Sequence, residues 1–350
     1  MRLQQPKVTR KIVSKLSNDD YWKHSLYKLL GNDRRYKFND LSKVNPKNRI
    51  VKSPILNFYC GTDNIGDLIP SLGIWETIGR DTDSWSILKS IRTQELDFDF
   101  INQNYKCIII GGAGLFAKNL EPFWHQFVRE CKLPSIIWGV GGAGFYGSGY
   151  QARKEYVKVV SQAAEKCDLV NIRDRYSAEI FNIQNASFSA CPSIVYLQKC
   201  RKFKSDNSDV LLYSSHEPSM SPDEKNKIRE ILKETEPNFV FTDHTQYSYL
   251  GLEQILQDYY ANSEFVLTTR LHGAIIAYGL GIPYLAINRA AKIEAFVTEY
   301  GNGLAIDNLD ELESMLKHRK NLDLEMKPIA IQPILDFGDR AKDWISSTIN

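Results

Sequence analysis

Apolar residues along the chain gather into short, nearly uninterrupted runs, separated by longer stretches in which they recur with helical spacing. The first half carries ILNFY (55–59), CIIIGG (107–112), SIIWGVGG (135–142), DLVNIRD (168–174) and ASFSAC (186–191). The second half carries DVLLYSS (209–215), NFVFTDH (238–244), EFVLTTR (264–270) and IPYLAIN (282–288). Runs without polar alternation predict strands covered on both faces, as in a parallel sheet. The periodic stretches between them predict helices over 69–79, 150–167 and 221–235. The second sets Tyr156, Val159 and Ala163 on one face. The third opens with Ser221, and Glu224 follows at capping-box spacing.

Strands alternating with helices build parallel sheets flanked by helices. The polar run QKCRKFKSDNSD (198–209) divides that alternation. The predicted fold is therefore α/β, with two doubly wound, Rossmann-like domains facing a cleft. One covers 53–198 and the other 209–325. Residues 1–52 are predicted as a basic segment with a short helix within 19–33, and 326–350 as a C-terminal tail or helix. Such a pair places a cleft at the carboxyl ends of its strands, the GT-B-like layout shared by many glycosyltransferases. The layout predicts a ligand in the cleft and leaves its chemistry to individual residues.

Composition narrows the picture. With 350 residues, 43% hydrophobic and 25% charged, the chain can bury full cores without disulfides or structural metals. A net charge of +2 predicts no nucleic-acid partner. The charge is unevenly spread: residues 1–52 hold 14 Lys/Arg against 4 Asp/Glu, a net of +10, which leaves −8 on the remainder. That bias fits a solvated arm, or a patch for anionic lipid or a phosphate-bearing substrate. Cys60, Cys107, Cys131, Cys167, Cys191 and Cys200 form no CxxC and no zinc spacing, and are expected to be reduced thiols. No metal site and no cofactor is expected. The N-terminus lacks the apolar core of a signal peptide and no run is long enough to span a bilayer. A cytoplasmic location follows, with peripheral membrane contact through residues 1–52 as a further option.

Candidate chemistry sits where strands end. In YCGTDNIGDLIP (59–70), Gly61 and Gly66 permit close backbone approach, Asn64 or Asp67 can cap the next helix, and Asp67 can serve as a carboxylate base in the cleft. An ordinary capped turn explains the same residues. GGAGLF (111–116) and GVGGAGFYGSG (139–149) follow buried strands. Gly139, Gly141 and Gly144 have GxGxxG spacing, but no acidic residue stands where a dinucleotide site needs one. Gly112, Gly141 and Gly142 are better candidates for cradling a phosphate or carboxylate, with tight packing as the plain alternative. In NIRDRYSAEIF (171–181), Arg173 can grip an anion with its guanidinium fork, while Asp174 and Ser177 begin a helix. An internal Arg173–Asp174 pair is the competing explanation. In EFVLTTRLHGAIIAYGLGIP (264–283), Arg270 and His272 end a strand ahead of a small-residue helix, which makes an anion site, and Lys292 can add a cation. His216 and His244 lie at strand ends and can face the cleft. His24, His125 and His318 fall in polar stretches and are expected at the surface.

Together, DNIGD (63–67), the two glycine turns, IRDRYS (172–177) and TTRLHGAIIAYGLGIP (268–283) resemble the polysaccharide pyruvyl transferase family. The resemblance spans roughly 54–300, and its most specific part is the Arg270-Leu271-His272 turn. GVGGAG departs from the polar tail common in the family, and residues 1–52 lie outside the shared region. The resemblance implies transfer of a pyruvyl group from phosphoenolpyruvate to a sugar of a surface polysaccharide or its lipid-linked precursor, closing a cyclic ketal. It implies Arg173, Arg270 and His272 around the donor, with Lys292 as an optional fourth cation, His272 also as general acid, and Asp67, or secondarily Asp174, as base. A nucleotide-sugar-dependent glycosyltransferase of the same layout and a non-catalytic sugar-binding protein are the alternatives.

The basic segment generates a first prediction. Each Lys or Arg near an anionic membrane contributes about 1 kcal/mol, screened by salt. The protein is expected to sediment with anionic liposomes at low salt and to leave them at high salt. Replacing Lys7, Arg10, Lys11 and Lys15 with Gln should abolish the effect. Protein that stays in the supernatant at low salt would assign the segment a structural role.

Overall fold

The computed structural model describes residues 39–62, 64–94, 96–142, 153–201, 209–244, 252–301, 304–322 and 328–350. The helix expected within 19–33 lies outside them. In the first domain, strands β1 (Ile55–Tyr59), β2 (Asp83–Ser86), β3 (Cys107–Gly111), β4 (Ser135–Val140), β5 (Leu169–Ile172) and β6 (Ser187–Phe188) form one parallel sheet in the order β2-β1-β3-β4-β5-β6. Its helices are α1 (Ile65–Ile78), α2 (Ile87–Thr93), α3 (Phe98–Asn104), α4 (Glu121–Glu130), α5 (Lys154–Lys166), α6 (Arg175–Ile180) and α7 (Ser193–Cys200).

The second domain contains β7 (Leu211–Ser214), β8 (Val240–Thr242), β9 (Phe265–Thr268), β10 (Tyr284–Ile287) and β11 (Leu304–Ile306), paired in parallel in the order β11-β10-β9-β7-β8. Its helices are α8 (Pro222–Thr235), α9 (Leu252–Ile255, continuing as a π-turn over Leu256–Tyr260), α10 (Leu271–Leu280), α11 (Ala291–Glu299) and α12 (Leu312–Lys317). A last helix, α13 (Gln332–Ile349), closes the chain. Two parallel sheets covered by helices explain the apolar runs, since every residue of β1, β3, β4, β9 and β10 is buried.

Local signals work as physics requires. Ser221 and Glu224 close a reciprocal capping box on α8. Asn64, not Asp67, caps α1, its Oδ1 accepting the Gly66 N–H at 2.8 Å. Two strands lie outside the expected apolar runs. β2 reads DSWS and is held at the sheet edge by Asp83, which accepts from the Lys52 N–H at 2.9 Å and the Tyr105 hydroxyl at 3.0 Å. β11 is short and half-exposed. The run 186–191 pairs only over β6.

The chain ends depart most from a residue-by-residue reading. Part of the basic segment belongs to the first domain: Leu41 is in its core, and Arg49 lies over the Trp85 ring at 4.6 Å while pairing with Asp97 at 3.1 Å. The polar run 198–209 begins inside α7, which packs against both α1 and α10. Ile194 and Leu197 thus share one core with Leu68 of the first domain and Ile275 of the second. Helix α13 returns to the first domain, where Phe337 meets Trp138 at 5.1 Å between ring centroids and Ala341 and Ile345 pack with Ile55 and Ile74. All six cysteines are buried and unpaired with one another. No helix among the described residues is long and apolar enough to cross a membrane.

Helix α13 is therefore core rather than tail. Phe337→Ala is expected to cost about 3–5 kcal/mol of unfolding free energy, visible as a lower urea midpoint. An unchanged midpoint would show that the helix docks without holding the domain together.

Candidate functional site

The carboxyl ends of the two sheets face a cavity of about 350 Å³, the size of a small-ligand site. The first domain contributes Asn64, Asp67 and Arg173, and the second contributes His216, Arg270, Leu271, His272 and Lys292. The sheet topology thus joins residues separated by as many as 228 positions, from Asn64 to Lys292.

Arg270 occupies the N-cap of α10 in extended conformation. Its backbone N–H donates to Thr268 Oγ1 at 2.9 Å, and its Nε donates to the Ser215 carbonyl at the end of β7. The guanidinium is anchored at its base and aimed into the cavity. His272 follows in the first helical turn against α1. A Cβ on Gly66 would stand 2.6 Å from His272 Nδ1, so Gly66 is the residue that lets the two domains meet there. His272 Nε2 is buried without a partner among the described residues. Burial, reinforced by Arg173, Lys292 and Arg270, pushes this imidazole well below its ordinary pKa and holds it neutral.

Arg173 follows β5 and is 4% exposed. Its Nε donates to Asp174 Oδ2 at 3.4 Å and its Nη2 to the Gly142 carbonyl at 3.3 Å, while Nη1 has no partner among the described residues. The three glycines expected to cradle an anion have their N–H groups engaged within the fold. The Gly112 N–H donates to the Trp138 carbonyl, the Gly141 N–H to the Ala113 carbonyl and the Gly142 N–H to Ser177 Oγ, so none is left for an anion. A Cβ at Gly141 would lie 2.4 Å from Arg173 Nε. Residues 143–152 of the second turn lie outside the described residues.

Asp174 and Ser177 are likewise structural. Asp174 Oδ1 accepts from the Ser177 N–H at 2.7 Å and from its hydroxyl at 2.5 Å, while Oδ2 faces Arg173. With both oxygens engaged, Asp174 caps α6 and orients Arg173, and it is not among the residues that line the 350 Å³ cavity. Asp67 does line it. Burial raises the Asp67 carboxyl, and Lys292, a hydrogen bond from Cys60, Arg270 and Arg173 oppose that rise. Burial, together with the charge of Arg173, lowers Lys292 to about 8, with Asp67 acting the other way.

The two remaining histidines part company. His216 lines the cavity, and burial, Arg270 and Lys292 push it down to about 4. His244 is fully buried and is not among the residues that line this cavity. Its candidacy as a substrate contact is corrected on that ground. His125 and His318 have exposed side chains, His125 beside Glu121 and His318 on its own helix. His24 is outside the described residues.

Arg289 also lines the cavity and was missed by sequence reasoning. It is the second residue past β10, as Arg270 is past β9, so the strand-end position that marks Arg270 marks it as well. Its guanidinium pairs with Glu224 at 2.8 Å and donates to the carbonyls of Asn288 and Asp307. Thr269, Ser219 and Asn119 complete the polar wall. Asn119 sits in a turn of irregular pattern that gave no signal.

The family model for polysaccharide pyruvyl transferase matches residues 4–290, so the shared region takes in most of the basic segment instead of beginning near 54, and the chain belongs to that family. Membership makes it a transferase with a polysaccharide acceptor class. No curated protein matches it. Among solved structures it is similar to Methanocaldococcus jannaschii UDP-GlcNAc 2-epimerase in complex with UDP-GlcNAc and UDP. That match has 12% identity and a TM-score of 0.55 over 84% of this chain and 99% of the other. It is also similar to the S. aureus MnaA–UDP structure, at 11% identity and TM-score 0.52 over 83% and 96%. At such identities the likeness is one of fold, the GT-B-like pairing of two α/β domains.

Lys292 makes the site sensitive to pH. A phosphate monoester is close to fully ionised above about pH 7, so binding measured at higher pH reads the protein. Affinity for a simple phosphate monoester is expected to fall as pH rises through about 8, where Lys292 loses its charge. Lys292→Arg should move that fall upward, because an arginine stays charged. Calorimetric titrations of both proteins across this range check it, and superimposable profiles would remove Lys292 from the site.

Proposed function

We propose that the cavity binds phosphoenolpyruvate and transfers its pyruvyl group to two hydroxyls of a sugar, closing a cyclic ketal. The observation that carries this reading is the convergence of Arg173, Arg270, Lys292 and His272 on a cavity where, among the described lining residues, Asp67 supplies the carboxylate. A donor bearing both phosphate and carboxylate matches that excess of positive charge, and the unpartnered Nη1 of Arg173 offers it a charge-assisted hydrogen bond.

In the proposed reaction the donor's methylene carbon takes a proton and its C2 gains oxocarbenium character. One sugar hydroxyl adds to C2. The second then displaces phosphate, so that one hydroxyl proton balances the new methyl group and the other leaves with phosphate. His272 is the proposed acid. The surrounding cations hold it neutral, and the donor's negative charges would offset them and raise its pKa where the proton is needed. Asp67 is the proposed base, and the arginines stabilise the leaving phosphate. The acceptor is proposed to be a surface polysaccharide or its lipid-linked precursor, which would place the enzyme at the inner face of the membrane.

The alternative is a glycosyltransferase using a nucleotide sugar, suggested by the UDP-bound fold relatives. Thermal unfolding with phosphoenolpyruvate and with UDP separates the two. Stabilisation by phosphoenolpyruvate alone is expected, and stabilisation by UDP alone would overturn the proposal. Arg173→Lys should lose most pyruvyl transfer while remaining folded, because a point charge cannot reproduce the fork. Full activity in that variant would reduce Arg173 to a partner of Asp174.

A further inference from the structure

His244 is buried behind the cavity wall yet is wired to both of its sides. It follows β8 with φ +65, the left-handed region that a residue with a side chain rarely adopts. Its Nε2 lies 3.0 Å from Ser214 Oγ and 2.5 Å from the Tyr260 hydroxyl, and that hydroxyl donates to Ser214 Oγ at 2.9 Å. The three groups form a closed polar ring inside the second domain.

Ser214 carries the connection toward Arg270. Its carbonyl accepts from the Thr268 hydroxyl at 2.9 Å and from the Thr269 N–H at 3.1 Å, and Thr268 Oγ1 in turn accepts the Arg270 N–H. The next carbonyl, Ser215, receives Arg270 Nε. The ring therefore fixes the strand end from which the arginine is hung.

The main chain of His244 reaches the other domain. Its carbonyl accepts the N–H of Ile65, the first residue of α1, at 3.3 Å. That N–H is one of the groups a helix cannot satisfy internally. Asp67 lies two residues further along the same turn. The left-handed backbone aims the carbonyl across the boundary while the ring holds the side chain behind it.

We propose that His244 is a positioning residue that couples the docking of α1, with Asp67, to the seating of Arg270, so that the anion pocket is complete only when the two domains are locked together. A buried polar ring of this kind costs stability unless every member is satisfied, and His244 Nδ1 has no partner among the described residues.

The inference rests on the donor site proposed above, and its test separates the two. Phosphoenolpyruvate affinity of the full chain is measured by calorimetry, well below the unfolding midpoint, for wild type, His244→Asn and Tyr260→Phe. Asn tolerates the left-handed backbone but cannot reach the ring, and Tyr260→Phe removes only a hydroxyl. Both are expected to raise the dissociation constant about tenfold. Phe337→Ala, destabilised at a remote core, should leave it unchanged. Wild-type affinity in the two ring variants, or an equal loss in Phe337→Ala, would overturn the inference. If His244→Asn does not fold, Tyr260→Phe carries the test. Wild-type protein that binds inorganic phosphate but not phosphoenolpyruvate would sink the donor reading alone, and the same comparison run with phosphate would then decide the role of His244.

Discussion

Several positive charges share one buried pocket with the Asp67 carboxylate, and the surrounding architecture follows from that constraint. Arg173, Arg270 and Lys292 repel one another, and burial strips away the water that would soften the repulsion. The two arginines are held by neutral or anionic groups: Arg173 by Asp174 and the Gly142 carbonyl, Arg270 by the Ser215 carbonyl. The strain shows in the titrating groups, with Lys292 lowered toward neutrality and His272 kept uncharged. A ligand carrying negative charge relieves it, which is a reason for such a pocket to exist.

Space around these cations comes from the glycine turns. Gly141 leaves room for the Arg173 guanidinium, Gly66 for the His272 ring, and Gly112, at φ +75, for Pro70 of α1. Their N–H groups are consumed inside the fold, so they act on the ligand through the side chains they admit. The same motif on the page can cradle a phosphate or accommodate an arginine. Only the hydrogen-bond partners of its backbone tell the two apart.

The two domains are joined more closely than a linker would allow. Helix α7 belongs to the core of both, α13 returns to the first domain after the second is complete, and α1 is met by Gly66–His272 packing and by the His244 carbonyl. A cavity assembled from both halves depends on that junction, since Asp67 and Arg173 lie on one side and Arg270, His272 and Lys292 on the other.

Local physics made much of this legible in the chain itself. Unbroken apolar runs require strands buried on both faces, so the two parallel α/β sheets followed from ILNFY, CIIIGG, EFVLTTR and IPYLAIN. Strand-end position singled out Arg173, Arg270 and His272, because a parallel sheet directs those positions into one cleft. The capping box at Ser221 needed only neighbouring residues. Other features depended on partners far away in sequence. β2 is polar and stays in the sheet through Asp83 contacts with Lys52 and Tyr105. α13 becomes core because Phe337 finds Trp138. Asp174 is a cap because Ser177 and Arg173 occupy its oxygens, and His244 is hidden because Ser214 and Tyr260 enclose it. Propensity and periodicity act over a few residues, whereas burial and hydrogen-bond satisfaction are settled only when distant segments pack. The sequence therefore determined the sheets and the sign of the site, and the tertiary structure decided which of its charged and polar groups face the ligand.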